Sequence, residues 1–141
     1  MTRKKYSSRG ISDTEQPRFT LGVMENKPVW SFALLDFGGS WSFPNIDTAS
    51  LRKVLERFRS LESMTWKEIE STTGSHVIEI SSIIRSAQET LEELHLDDAT
   101  DLFSLRIQGR ERIWGIRDNH ILRILWWDPN HEICPSEKRN T

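Results

Sequence analysis

The pattern of apolar and polar residues predicts three consecutive short strands between residues 102 and 128. In residues 102–109 one face would be apolar and the other polar, as in a half-buried strand. Gly109 and the pair Asp118-Asn119 separate the stretches, and such residues favour the tight turns of β-hairpins. The third stretch, residues 120–127, is apolar on both faces, which predicts a central strand. Its two faces would carry Leu122, Ile124 and Trp126 on one side and Ile121, Leu125 and Trp127 on the other.

A helix is predicted over residues 49–62, with Asp47 or Thr48 as its N-terminal cap. Its apolar residues repeat at intervals of three and four positions, which is typical of a helix with one buried face. This stripe comprises Leu51, Val54, Leu55, Phe58 and Leu61. The opposite face carries four basic residues, and a solvated helix face is the simplest interpretation of them. They are Arg52, Lys53, Arg57 and Arg59.

Two further helices are predicted before the three strands. Thr65 and Glu68 have the spacing of a capping box, which indicates a short helix to about Ser71. The next helix would begin at position 81 or 82 and end at position 94. Its apolar residues also follow helical spacing, and its exposed side becomes acidic toward the C-terminal end.

The first strand is predicted over residues 29–37, where Trp30, Phe32 and Leu34 would share one face before Gly38-Gly39 ends it. Residues 18–24 could add a short extra strand. The resulting order is β-α-α-β-β-β, which predicts an α+β fold: a small, mainly antiparallel sheet with the helices packed on one face.

The chain of 141 residues has the size of one domain, expected over residues 19–136, between a flexible N-terminal tail (1–18) and a short C-terminal tail (137–141). Its 36% hydrophobic and 28% charged residues are typical of a compact water-soluble domain. We find no apolar run of transmembrane length and no apolar segment behind the basic N-terminus, so neither a membrane partner nor a secretory signal is expected. A single cysteine, Cys134, favours a reducing, cytoplasmic location.

Charge is distributed unevenly, although the formal net charge is only -2. Residues 86–101 contain six acidic residues and no Lys or Arg, whereas residues 106–123 contain five arginines and only two acidic residues. A local basic surface can steer an anionic partner even when the total charge cannot.

These arginines, together with His131, are the strongest candidates for chemistry. Guanidinium groups bind phosphate in a bidentate manner, and an imidazole can transfer protons near neutral pH. This combination suits metal-independent cleavage of a phosphodiester by a ribose 2′-hydroxyl. We therefore predict His131, Arg112 and Arg106 as catalytic residues and Arg110, Arg117, Arg123, Asp128 and Trp127 as substrate-binding residues. The alternative is that the arginines pair with the acidic end of the preceding helix.

Other chemistry has weaker support. The sequence has no Gly-rich phosphate loop, no nucleophile elbow, no H-E-x-x-H and no paired C-x-x-C. Asp128, His131 and Cys134 have ligand chemistry but lack a fourth ligand at a diagnostic spacing, so no metal and no cofactor are predicted. The six tryptophans could stack on bases, but core packing is the default interpretation.

The chain resembles the RelE/ParE toxin superfamily of bacterial toxin–antitoxin systems over roughly residues 28–135. The order of elements and three short segments carry the resemblance: Leu105-Arg106-x-x-Gly109-x-x-Arg112-Ile113, then Ile116-Arg117-Asp118, then Asp128-Pro129-Asn130-His131-Glu132 after an apolar strand. It implies a toxin that cleaves mRNA on the ribosome and is held by a cognate antitoxin protein. Arg106 and Arg112 would match the basic residues on the family's central strands, and His131 its terminal catalytic or RNA-contacting residue. A non-enzymatic module that binds protein or nucleic acid, and a ParE-type gyrase inhibitor, remain alternatives.

Overall fold

A computed structural model describes residues 25–135, which form five strands and three helices. The tails and the extra strand predicted at residues 18–24 lie outside this range. In chain order the elements are β1 (Val29–Ser31), α1 (Thr48–Leu61), α2 (Trp66–Thr72), β2 (His76–Glu79), α3 (Arg85–Glu93), β3 (Asp101–Gln108), β4 (Glu111–Asp118) and β5 (Ile121–Asp128).

The strands form one mixed sheet in the order β1-β5-β4-β3-β2. β1 runs parallel to β5, and the other three pairings are antiparallel. The α+β class, the two C-terminal hairpins and the central place of β5 are therefore confirmed. None of the described helices is long and apolar enough to cross a membrane.

The predicted β-α-α-β-β-β order is wrong by one strand, because β2 lies between α2 and α3. Its four residues carry adjacent apolar side chains at Val77 and Ile78, so they show no clear alternation. β2 also pairs on one side only, with β3. β1 is shorter than predicted and ends at Ser31, since the chain turns where the Leu35 amide donates to the Phe32 carbonyl.

The helices cover both faces of the sheet, which corrects the prediction that they pack on one face. α1 and α2 place Phe58 and Trp66 in a cluster with Phe103 of β3. α3 contributes Ala87 and Leu91 to a second cluster on the other face. Residues that are adjacent along one strand belong to different clusters, as the pleat requires: Leu102 and Phe103, Ile113 and Trp114.

A bulge in β5 explains a second correction. Trp126 pairs with Trp114 of β4, but the next β4 residue, Gly115, pairs with Ile124, so Leu125 is an extra residue. One extra residue inverts the alternation of the side chains that follow it. Trp126 therefore joins the α3 cluster, and Trp127 joins the α1–α2 cluster, in both cases opposite to the prediction from simple alternation.

The helix starts follow local hydrogen bonding. The Asp47 carboxylate caps α1 by accepting from the Ser50 amide at 2.7 Å, and this hydrogen bond is the main reason that the pKa of Asp47 is lowered. The predicted capping box of Thr65 and Glu68 is present at α2. α3 begins at Arg85, later than predicted, because residues 80–82 form one turn of 3₁₀ helix.

Gly115 provides a test of the bulge. A Cβ atom at this position would collide with the carbonyl oxygen of Arg123 and lie 3.0 Å from Cδ1 of Leu122. We expect Gly115→Ala to lower the free energy of unfolding by about 2 kcal/mol, the usual scale for overpacking, as measured by urea denaturation.

Gly38→Ala is the matched control, because an added Cβ there meets nothing within 4 Å. Equal stability of the Gly115→Ala variant and the wild type would contradict the close approach of β4 and β5.

Candidate basic site

Two of the predicted catalytic residues are paired on adjacent strands. Arg106 of β3 pairs with Arg112 of β4, and Arg112 in turn pairs with Asp128 of β5. The register thus brings the two arginines to the same level at one end of the sheet. Arg106 is exposed, and it forms no ion pair within residues 25–135. The alternative that the acidic end of α3 neutralises Arg106 therefore finds no support.

Arg112 is half-buried and bound to its own hairpin. Its Nη1 donates to the carbonyl oxygen of Gly109 at 2.6 Å and to that of Glu111 at 3.2 Å. Arg110 lies exposed in the same turn between β3 and β4. The guanidinium of Arg112 thus stabilises the turn that presents Arg110.

The structure places Arg117 and Arg123 in ion pairs away from this turn. Arg117 contacts Glu70 of α2 at 2.6 Å and lies 4.8 Å above the centre of the Trp66 ring, on the α1–α2 face. Arg123 contacts Asp118 at 3.1 Å. Both charges are therefore compensated by acidic partners within the fold.

Asp128 and Trp127 are predicted to contact substrate, but the structure buries both and gives them structural roles. Asp128 is fully buried, and its carboxylate accepts hydrogen bonds from Trp114 Nε1 at 3.1 Å and from the amides of Glu132 and Ile133 at 2.9 and 3.0 Å. Trp127 is only 6% exposed and packs in the α1–α2 cluster. Its ring cannot stack on a base without leaving the core.

His131 lies in the turn that Asp128 holds. It is half-buried and has a positive φ of 60°, which is uncommon for a residue with a side chain. Because the Asp128 carboxylate binds the next two backbone amides, the position of His131 is coupled to a buried anchor. Within residues 25–135, no group of three His, Cys, Asp or Glu side chains could hold a metal ion.

The structure adds Arg57 of α1, which was interpreted as part of a solvated helix face. Its Nε donates to the backbone carbonyl of Arg106 at 3.2 Å. Burial, and then the positive charge of Arg106, lower the pKa of Arg57. No feature of the sequence links these two residues, which lie 49 positions apart.

Gly74 shapes the other side of Arg106. This glycine has a φ of +80°, and an added Cβ would lie 3.0 Å from Nη1 and 3.3 Å from Cδ of Arg106. The following residue, Ser75, is buried, and its hydroxyl accepts from the Arg106 amide at 2.9 Å. The turn between α2 and β2 is thus fastened to β3 beside the Arg106 side chain.

The fold and this cluster define an α+β protein with a mixed five-stranded sheet and a basic end. No protein-family model matches the chain, and no curated protein or solved structure is significantly similar to it.

The role of Asp128 leads to a prediction about stability. We expect Asp128→Ala to lower the free energy of unfolding by at least about 3 kcal/mol, because three donors lose their acceptor in the interior. Asp118→Ala, which removes an exposed ion-pair partner of Arg123, should change it by less than about 1 kcal/mol. Urea denaturation of both variants measures the difference, and equal effects would contradict the anchoring role.

Proposed function

We propose that this chain binds RNA through the basic end of its sheet and cleaves it as a RelE/ParE-like endoribonuclease. The basic end comprises Arg57, Arg106, Arg110, Arg112 and His131. One observation carries the proposal: Arg57 donates to the backbone carbonyl of Arg106, and neither arginine has an ion-pair partner within residues 25–135. The fold compensates Arg117 and Arg123, whereas Arg57 and Arg106 remain available to an external anion.

The residue types fit a phosphate backbone. Guanidinium groups remain charged at all physiological pH values and form two parallel hydrogen bonds to phosphate oxygens. Arg106 and Arg112 lie on adjacent strands, about 5 Å apart in the direction of the hydrogen bonds, so a bound strand could contact both.

Cleavage would follow the general scheme for attack by a ribose 2′-hydroxyl on the adjacent phosphorus. Arg106 and Arg112 would stabilise the negative charge that develops on the phosphate oxygens. His131 would accept the 2′-hydroxyl proton or donate one to the leaving 5′-oxygen. As a RelE/ParE-like toxin, the chain would act on ribosome-bound mRNA and be inhibited by an antitoxin.

A non-enzymatic RNA-binding module is the second candidate. It is favoured by the structural roles of Asp128 and Trp127, which leave His131 as the one predicted acid–base residue at the basic end. Binding and cleavage are therefore tested separately.

Binding is tested by fluorescence anisotropy with a labelled single-stranded RNA at several salt concentrations. Arg106→Gln should weaken binding about tenfold for every sequence and reduce the salt slope by about 0.7, since one phosphate contact is lost. Arg85→Gln, which removes an exposed charge paired with Glu89 on α3, is the control and should bind as the wild type does. Failure of the wild type to bind RNA would overturn the proposal.

Cleavage is tested on free RNA in the presence of EDTA and, in a separate assay that contains Mg²⁺, on translating ribosomes. We expect His131→Ala to slow cleavage by about 100-fold or more, which is the usual contribution of a general acid or base, while RNA affinity stays the same. Binding by the wild type without cleavage in either assay would select the non-enzymatic module.

A further inference from the structure

We propose that Arg57 and Arg106 form a pocket for one phosphomonoester group, of the kind found at the end of an RNA chain or on a free nucleotide. The proposal gives Arg57 a role in binding and gives the basic end a preference for phosphomonoesters. The inference rests on the proposed function for its natural ligand, whereas the pocket can be tested with phosphate alone.

The backbone of β3 holds the first guanidinium in place. Arg57 Nε donates to the Arg106 carbonyl at 3.2 Å, so the head group of Arg57 lies against the strand that carries the second guanidinium. Its two Nη groups form no hydrogen bond or ion pair within residues 25–135. Those nitrogens are the donors with which arginine binds phosphate.

The turn between α2 and β2 holds the second guanidinium. Arg106 packs over Gly74, which lacks the side chain that would occupy this space. The Ser75 hydroxyl accepts from the Arg106 amide at 2.9 Å and from the Thr73 hydroxyl at 2.8 Å. Arg57 of α1 and the turn at Gly74 thus both contact Arg106 of β3.

The charges around the pocket leave it positive. Lys53, one turn earlier on α1, pairs with Glu111 at 2.8 Å, so the acidic residue of the nearby hairpin is already used. Burial and the charge of Arg106 both disfavour the charged form of Arg57, which is reflected in its lowered pKa. An anion between the two guanidinium groups would reverse this repulsion.

Charge favours one class of anion. A phosphomonoester carries about two negative charges at pH 7, which matches two guanidinium groups, whereas an internal phosphodiester carries one. Terminal phosphate on RNA and free nucleoside monophosphate share this chemistry.

The test is isothermal titration calorimetry of the full chain at constant ionic strength in chloride buffer. We expect inorganic phosphate and AMP to bind and adenosine not to bind. Arg57→Gln should weaken phosphate binding by at least about tenfold, which is the loss of one charge-assisted contact. Arg59→Gln, which removes an exposed charge from the same helix, should bind as the wild type does.

A pair of glycine variants tests the pocket without removing a charge. Gly74→Ala and Gly109→Ala both place a side chain at positive φ, but only the former meets Arg106, since Gly109 has open space around it. Phosphate binding should fall in Gly74→Ala and persist in Gly109→Ala, with circular dichroism confirming that both are folded.

The outcomes separate the pocket from the proposed function. If the wild type binds no phosphate, or if Arg57→Gln and Gly74→Ala bind it as well as the wild type does, the pocket is wrong, whatever the RNA assays show. If phosphate binding depends on Arg57 but RNA does not bind, the pocket stands and the proposed function fails. Comparing RNA with a phosphate or a hydroxyl at its 5′ and 3′ ends identifies the source, because tighter binding of one phosphorylated end assigns the pocket to that end.

Discussion

The buried carboxylate of Asp128 is the interaction on which the C-terminal half of the structure depends. It joins the end of β5 to Trp114 of β4 and to the amides of Glu132 and Ile133, so three donors share one side chain. The Ile133 carbonyl then accepts from the Ile84 amide at the start of α3. A carboxylate in the interior is tolerated only where hydrogen bonds replace its hydration, and this one is satisfied by neutral N–H groups.

Asp36 is a second buried acid that accepts hydrogen bonds from an indole and from backbone amides, next to the bulge in β5. Its Oδ2 accepts from Trp126 Nε1 at 2.9 Å, and its Oδ1 accepts from the amides of Gly38 and Gly39. The Asp36 amide also donates to the carbonyl of Leu125, the extra residue of the bulge. Asp36 thus fixes the loop after β1 to Trp126 of β5, and Asp128 fixes the turn after β5 to Trp114 of β4.

Local signals made part of this fold predictable. The cap at Asp47, the capping box at Thr65 and the hairpin turns depend on residues within a few positions of one another, and all are present. The bulge at Leu125 depends on pairing with another strand, and it reverses the alternation on which the predicted faces relied. β2 and the placement of α3 on the second face likewise depend on tertiary packing.

The candidate site could likewise be predicted only in part from the sequence. Alternation on two consecutive antiparallel strands places Arg106 near Arg112, so this proximity could be predicted. The partners that bind Arg117, Arg123 and Asp128 could not be predicted, because choosing between an external ligand and an internal partner requires the fold.

Arg57 and Arg106 lack an acidic partner within residues 25–135, unlike the charged residues whose partners are described above. Asp36 and Asp128 are deeply buried, yet each is satisfied by several donors, and Lys53, Arg117 and Arg123 each have an acidic partner. Burial and the charge of Arg106 both disfavour the charged form of Arg57, which is reflected in its lowered pKa. An anion that binds only the folded protein would offset both costs and stabilise that state in proportion to its concentration. The anion that we propose would therefore supply the compensation that no acidic residue within residues 25–135 gives to Arg57 and Arg106.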